Sequence, residues 1–230
     1  MAASRSPTLR LRAKGPLACF TRPELKVERV SYPVMTPSAA RGLLEAVLWK
    51  PAFRWHVERI QVLAPIRFVS FRRNEVNTKA SPPPRAVIRD GGRITCYFAE
   101  DDRAQRNTVA LRDVDYVIEA HLAMTERAGP EDNVTKFVAM FERRVEKGQH
   151  FHQPYFGCRE FVADLLATDG SEEAISQSGD LGIMLWDIDY GDEANRPLFF
   201  RAELRDGVLE VPADPEATLV SGAVQEGGRA

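Results

Sequence analysis

The stretch EKGQHFHQPYFGCREF, residues 146–161, brings two histidines, a cysteine, basic residues and acids close to a glycine-bounded turn. Three chemistries compete for it. A metal site built on His150 and His152 needs three or four ligands, and no HxxxH or CxxC supplies the rest. A thiol active site would pair Cys158 with His152 as base. Nothing supplies an oxyanion hole or a third, orienting residue, and a cysteine just ahead of Phe161 and Val162 reads equally well as a packing residue. The third chemistry is a loop that faces a nucleic acid, with Phe151, Tyr155 and Phe156 available to stack on bases. No metal and no cofactor is expected.

Lys136 is a second candidate. It falls in the first turn of a predicted helix, where the dipole already places positive charge, so a cation there makes sense if an anion docks. Glu131 and Asp132 nearby offer the plainer reading of a solvated lysine. Basic residues also cluster in TRPELKVER (21–29) and RRNEV (72–76). Residues 1–96 carry 18 Lys/Arg against 6 Asp/Glu, a balance of +12; residues 97–230 carry 13 against 27, a balance of −14. Of the 31 basic residues 25 are Arg, whose planar fork suits phosphate and base stacking. This points to a polyanion partner. The alternative is charge segregated in sequence and mixed in space.

The elements that must carry these residues can be read from periodicity. LRLRAK (9–14) alternates as a strand, with Leu9, Leu11 and Ala13 inward and Arg10, Arg12 and Lys14 outward. Thr36 caps a helix that starts at Pro37, carries Arg41 and buries Ala40, Leu43, Leu44, Val47 and Leu48. Residues 53–76 read as one long strand or a pair bent at Pro65. Residues 77–92, with a Pro triplet and a Gly pair, read as an exposed loop. RITCYFA (93–99) and VDYVIEAHLAMT (114–125) read as strands, the second burying Val114, Tyr116, Ile118, Ala120 and Leu122 and placing His121 with Glu119 and Asp115 on the other face. A helix follows from Asp132 or Asn133 to Gly148, then a strand, FGCREFVADLL (156–166). The order strand, helix, strand, strand, helix, strand predicts an α+β, ferredoxin-like (RRM-like) domain over 1–165. A small antiparallel β domain (166–217), with a hairpin at Asp206-Gly207, and a disordered tail (218–230) complete the expectation.

No apolar run reaches the roughly 18–20 residues that span a bilayer, and the N-terminus has no apolar signal core. Three scattered cysteines argue for a reducing, cytoplasmic compartment.

The strings ACFTRPELKVERVSYPVMTPSAARGLLEAVLWKP, FRRNEV, VDYVIEAH, GQHFHQPYFGCREF, LGIMLWDID and PLFF together resemble one family over about residues 9–216. It is the subtype I-C CRISPR-associated subunit of the RAMP superfamily, the fifth Cas family in its d variant. The resemblance implies binding of CRISPR repeat RNA and metal-independent cleavage of the precursor transcript by 2′-hydroxyl attack. It also implies a bound product and a prokaryotic interference complex with backbone and large subunits as partners. Two catalytic positions of the family fall on Leu48 and on Phe137, beside Lys136. Neither side chain transfers protons, so Lys136, His150, His152 and Tyr32 are the catalytic candidates. A non-catalytic RNA-binding cap and a duplex-DNA-binding protein are the alternatives. Arg10, Arg12, Arg22, Lys26, Arg29, Arg41, Arg72, Arg73, Phe151 and Tyr155 are the candidate RNA contacts.

Overall fold

Leu9, Leu11 and Ala13 are buried while Lys14 faces solvent, and this alternation builds β1 (Leu9–Ala18). The computed structural model describes residues 4–25, 27–79, 81–93, 96–190 and 195–222. β1 lies antiparallel to β5 (Arg103–Met124), a 22-residue strand that organises the sheet. On the other edge of β5 the chain runs straight through two strands. β3 (Phe53–Val62) pairs with Tyr116–Met124 and β4 (Phe68–Val76) with Arg103–Leu111. Residues 53–76 are therefore the bent pair, with Pro65 in the bend. The short β2 (Arg29–Val30) adds a parallel pairing to Thr108 and Val109.

The helices form where capping and spacing require them. The Thr36 side chain accepts from the Ala39 amide at the start of α1 (Pro37–Val47), and Ala40, Leu43, Leu44 and Val47 are buried. After the peripheral α2 (Arg85–Asp90), which buries no residue, α3 (Val134–Glu146) starts on Asn133, whose side chain accepts from the Lys136 amide. Both long helices contribute to one aromatic core: Phe137 lies 4.9 Å from Phe53 and Phe141 4.9 Å from Trp55, ring centre to ring centre. The Trp55 indole donates to the Leu48 carbonyl, locking the end of α1 to β3.

Beyond α3, β6 (Asp164–Leu166) pairs with β1. The hairpin expected at Asp206-Gly207 is present between β8 (Asn195–Arg205) and β9 (Val208–Glu210), with β7 (Gly179–Tyr190) on the outer side of β8. β9 joins β3, giving the sheet order β6-β1-β5-β3-β9-β8-β7. The chain is thus a mixed α/β protein built on one largely antiparallel sheet.

Four expectations need correction. Within the expected loop 77–92, Arg85–Asp90 form the helix α2. Cys96–Phe98 form no strand and Ala99–Asp102 are a 3-10 turn; Ile94 and Thr95 lie outside the described residues. The β4–β5 ladder begins only where Val76 meets Arg103, so the preceding residues have no neighbour to pair with. FGCREFVADLL is a strand only at Asp164–Leu166. Phe156 and Phe161, five apart, would face opposite sides of a strand. A turn between them, closed by backbone bonds at both residues, buries both rings. Residues 218–222, expected in the tail, end the helix α4 (Pro215–Gly222); 223–230 lie outside the described residues.

Candidate nucleic-acid interface

The basic half of the chain folds against the acidic half. Arg10 pairs with Glu119, Arg12 with Asp115, and Arg41 with Asp187 as well as Glu45. Arg29 and Arg73 share Glu75 and Glu160. Arg22 meets Glu24 and lies 4.6 Å above the Tyr32 ring. Much of the segregated charge is therefore mixed in space. Among the RNA-contact candidates Arg72 keeps an uncompensated charge, meeting only Gln105 at 3.4 Å; Lys26 lies outside the described residues.

The opening stretch forms a loop anchored on α1. Gly148 ends α3 in the left-handed region (φ 61°), which glycine enters without a Cβ penalty. The Phe151 amide then donates to the Ala46 carbonyl at 2.7 Å, and Arg144 donates to the Val47 carbonyl. Phe151 is 84% exposed, with His152 edge-on to its ring. His152 and half-buried Tyr155 line a cleft of about 540 Å³ with Ser38, Arg41, Asp187 and Tyr190. An exposed aromatic beside a polar cleft suits base stacking. Phe156, by contrast, is fully buried core.

At the following turn, Gly157 has φ 77°, and a Cβ there would come within 2.0 Å of the Cys19 carbonyl oxygen. The amides of Cys19 and Cys158 both donate to the Phe156 carbonyl, and the Arg29 guanidinium donates to Cys158 Sγ at 3.5 Å. The neighbouring Cys19 thiol, and then Arg29, hold the Cys158 thiol well down, at about 6, while Cys19 is pushed up by its closeness to Cys158 and by burial.

The catalytic candidates do not converge. Lys136 is exposed, with Nζ 3.2 Å from Asp132 and 3.4 Å from the Glu131 carbonyl. From Lys136 to the end of α3 at Glu146 the helix rises about 15 Å, and the exposed His150 lies beyond that end. Lys136 and His150 thus sit at opposite ends of one helix. Tyr32 is buried, its hydroxyl without a hydrogen-bond partner of normal geometry, and burial raises its pKa. Leu48 and Phe137 are core residues. Among the described residues no group of three or more His, Cys, Asp or Glu is placed to hold a metal ion. No helix among them is long and apolar enough to cross a membrane.

One constellation was missed in sequence. His56 on β3 and His121 on β5 are direct cross-strand partners, their rings stacked 5.1 Å apart at 11°. His121 Nδ1 lies 2.8 Å from Glu58 Oε1, and Glu58 Oε2 accepts from Thr8 at 2.7 Å. They line a cleft of about 660 Å³ that also holds Arg5, Arg54 and Arg59. Alternation placed His121 on the polar face, but only the β3–β5 register brings His56 to it.

The fold is shared with a crystal structure of a CRISPR-associated protein: TM-score 0.68 at 22% identity, covering 93% of this chain and 95% of that one. A functionally uncharacterized protein from Streptococcus mutans shares it at TM-score 0.65 and 21% identity, covering 91% and 94% of the two chains. In sequence, the family model for CRISPR-associated protein (Cas_Cas5), d variant, matches residues 8–212. A protein of Mannheimia succiniciproducens named CRISPR pre-crRNA endoribonuclease Cas5d is 51% identical over 213 residues, 89% of this chain and 94% of its own. One of the same name from Thermus thermophilus is 42% identical over 224 residues, covering 90% and 92%. The chain belongs to the Cas5d family of CRISPR-associated proteins.

Proposed function

We propose that the protein binds CRISPR repeat RNA, cleaves the precursor transcript and stays on the product as a cap of a type I-C interference complex. The observation that carries this reading is the 51% identity, along nearly the whole of both chains, to a pre-crRNA endoribonuclease. The reaction is metal-independent: the 2′-hydroxyl beside the scissile bond attacks the phosphorus, a general base and acid move the protons, and a cation meets the developing charge. Exposed Phe151 and the cleft beside His152 and Tyr155 support an RNA-facing surface, and the uncompensated Arg72 on β4 offers a further phosphate contact. Residues 1–165 serve as the ferredoxin-like RNA-binding part and 166–217 as the smaller β part, working in the prokaryotic cytoplasm beside the backbone and large subunits.

The test is to incubate repeat RNA with the protein in EDTA and resolve the products by gel. A single cut leaving a 2′,3′-cyclic phosphate and a 5′-hydroxyl is expected. Tight binding with uncut RNA over hours would leave only a non-catalytic cap. Preference for duplex DNA over repeat RNA in competition would overturn RNA as the ligand.

A further inference from the structure

The geometry points to His56 and His121 as the proton-transfer pair of RNA cleavage, with the cleft around them taking the scissile phosphodiester. This rests on the endoribonuclease reading and supplies the groups that Leu48 and Phe137 do not.

Four observations carry it. The first is orientation. Glu58 accepts from Thr8 on one oxygen and meets His121 Nδ1 with the other, so the carboxylate is fixed from behind and leaves His121 Nε2 free. A carboxylate on one nitrogen of an imidazole fixes its orientation and tautomer. His150 and His152, by contrast, are exposed and have no such partner. The second is proximity: the two rings stack 5.1 Å apart, close enough for both to reach one phosphodiester. The third is free positive charge. Arg54 and Arg5 line the cleft, and neither is in an ion pair with a described carboxylate, unlike Arg41 and Arg59, which are bound to Asp187 and Glu119. Guanidinium groups not already satisfied are available to phosphate oxygens. The fourth is access. β9 pairs with β3 only at Arg59–Gln61, so β3 from Phe53 to Val57 has an open outer edge among the described residues. Arg54 and Arg41 also line a second cleft, of about 650 Å³, that holds Lys50 and Arg127 alongside Glu45 and Glu126. Cations in neighbouring clefts can follow a nucleic-acid backbone.

The roles follow from the surroundings. Partial desolvation within the cleft, and then the neighbouring His121 and Arg54, hold the solvent-accessible His56 below the ordinary histidine value, so it meets the substrate neutral and acts as base. His121, backed by Glu58, acts as acid. The 2′-hydroxyl gives its proton to His56 as its oxygen bonds to phosphorus. The bond from phosphorus to the 5′-oxygen breaks, and that oxygen takes the proton from His121. The products are a 2′,3′-cyclic phosphate and a 5′-hydroxyl end. The pair returns to its starting state by exchanging one proton each with water.

The experiment measures single-turnover cleavage of repeat RNA, RNA affinity by fluorescence anisotropy and thermal melting for the wild type, His56→Ala and His121→Ala. Cleavage should fall by about 10²–10⁴-fold in either variant, affinity by less than about threefold, and added imidazole should restore part of the His56→Ala rate. His56 is exposed, so its loss leaves the fold intact; if His121→Ala melts early, His56→Ala alone decides. Wild-type cleavage by His56→Ala, or a loss of rate matched by an equal loss of affinity, would overturn the proton-transfer assignment while leaving the endoribonuclease reading in place. A wild type that never cuts repeat RNA would overturn both.

Discussion

Arg41 on α1 holds Asp187 on β7 with two hydrogen bonds, from Nη2 at 2.7 Å and from Nε at 3.1 Å, so one guanidinium ties the first helix to the outermost strand. The same side chain donates to Glu45 on its own helix. Arg41→Ala removes both pairs and leaves Asp187 half-buried without its partner. The expected loss is about 1–3 kcal/mol, a range for hydrogen bonds to charged groups discounted for partial exposure. Urea unfolding checks it. Arg41→Lys should recover only part of the loss, because an ammonium lacks the planar fork.

Gly157→Ala should cost about 3 kcal/mol or more. The substitution forces an L side chain to φ 77° and drives its Cβ onto the Cys19 carbonyl. Gly91, at φ 68° with nothing near its missing Cβ, is the control. Gly91→Ala should cost only about 1 kcal/mol. Denaturation midpoints of the two variants compare conformation plus clash with conformation alone.

The Cys158 thiol should ionise near pH 6. Absorbance at 240 nm in a Cys96→Ser background follows the thiolate, since Cys96 is exposed and its replacement leaves the core intact. A step centred near pH 6 is expected, absent in Cys158→Ser and shifted upward in Arg29→Ala, which removes the guanidinium at 3.5 Å. A step at the ordinary thiol value would show that the Cys19 and Arg29 contacts do not form in solution.

Ion pairing decides which arginines contribute to RNA binding. Arg72→Ala should reduce the slope of log K against log salt by about 1, because an unpaired arginine that meets a phosphate releases a counterion. Replacing Arg12 and Asp115 together by Ala removes a neutral pair joined at 2.7 and 3.0 Å and should leave the slope unchanged. Equal slopes for all three proteins would take Arg72 out of the interface.

Lys136→Ala tests the cation at the start of α3. Its ion pair with Asp132 is exposed and screened by solvent, so the melting curve should be nearly unchanged. If Lys136 meets the developing phosphorane charge, cleavage should fall by about 10²–10³-fold at nearly constant affinity. Equal losses in rate and affinity would assign it to positioning.

The two long helices, α1 and α3, were legible in the sequence, because Thr36 and Asn133 can cap them and the apolar spacing names the buried residues, whereas α2 fell in a segment read as loop. The long reach of β5 was not. Its first half, Arg103–Asp113, is rich in charge, and it becomes a strand because β4 lies beside it. The site was less legible than the fold. Sequence placed Arg10 and Arg12 on one face but could not reveal the carboxylates of Glu119 and Asp115 that meet them across strands. His56 and His121, 65 positions apart, meet only through register, so their pairing had no signal in the sequence.

β1 has a further consequence, for the order of events during synthesis. Its two neighbours in the sheet are residues 111–120 of β5 on one side and β6 on the other. When Leu9–Ala18 leaves the ribosome, neither edge has a partner until about 100 more residues have been made, a wait of about 5–20 s at bacterial elongation rates. During that interval a strand with an apolar face stands with both edges open, the state in which chains pair with the wrong partner. The alternate residues Arg10, Arg12 and Lys14 put positive charge on that strand throughout the wait. The same arginines that later meet Asp115 and Glu119 thus carry unpaired charge along an open strand edge, a feature that disfavours edge-to-edge pairing.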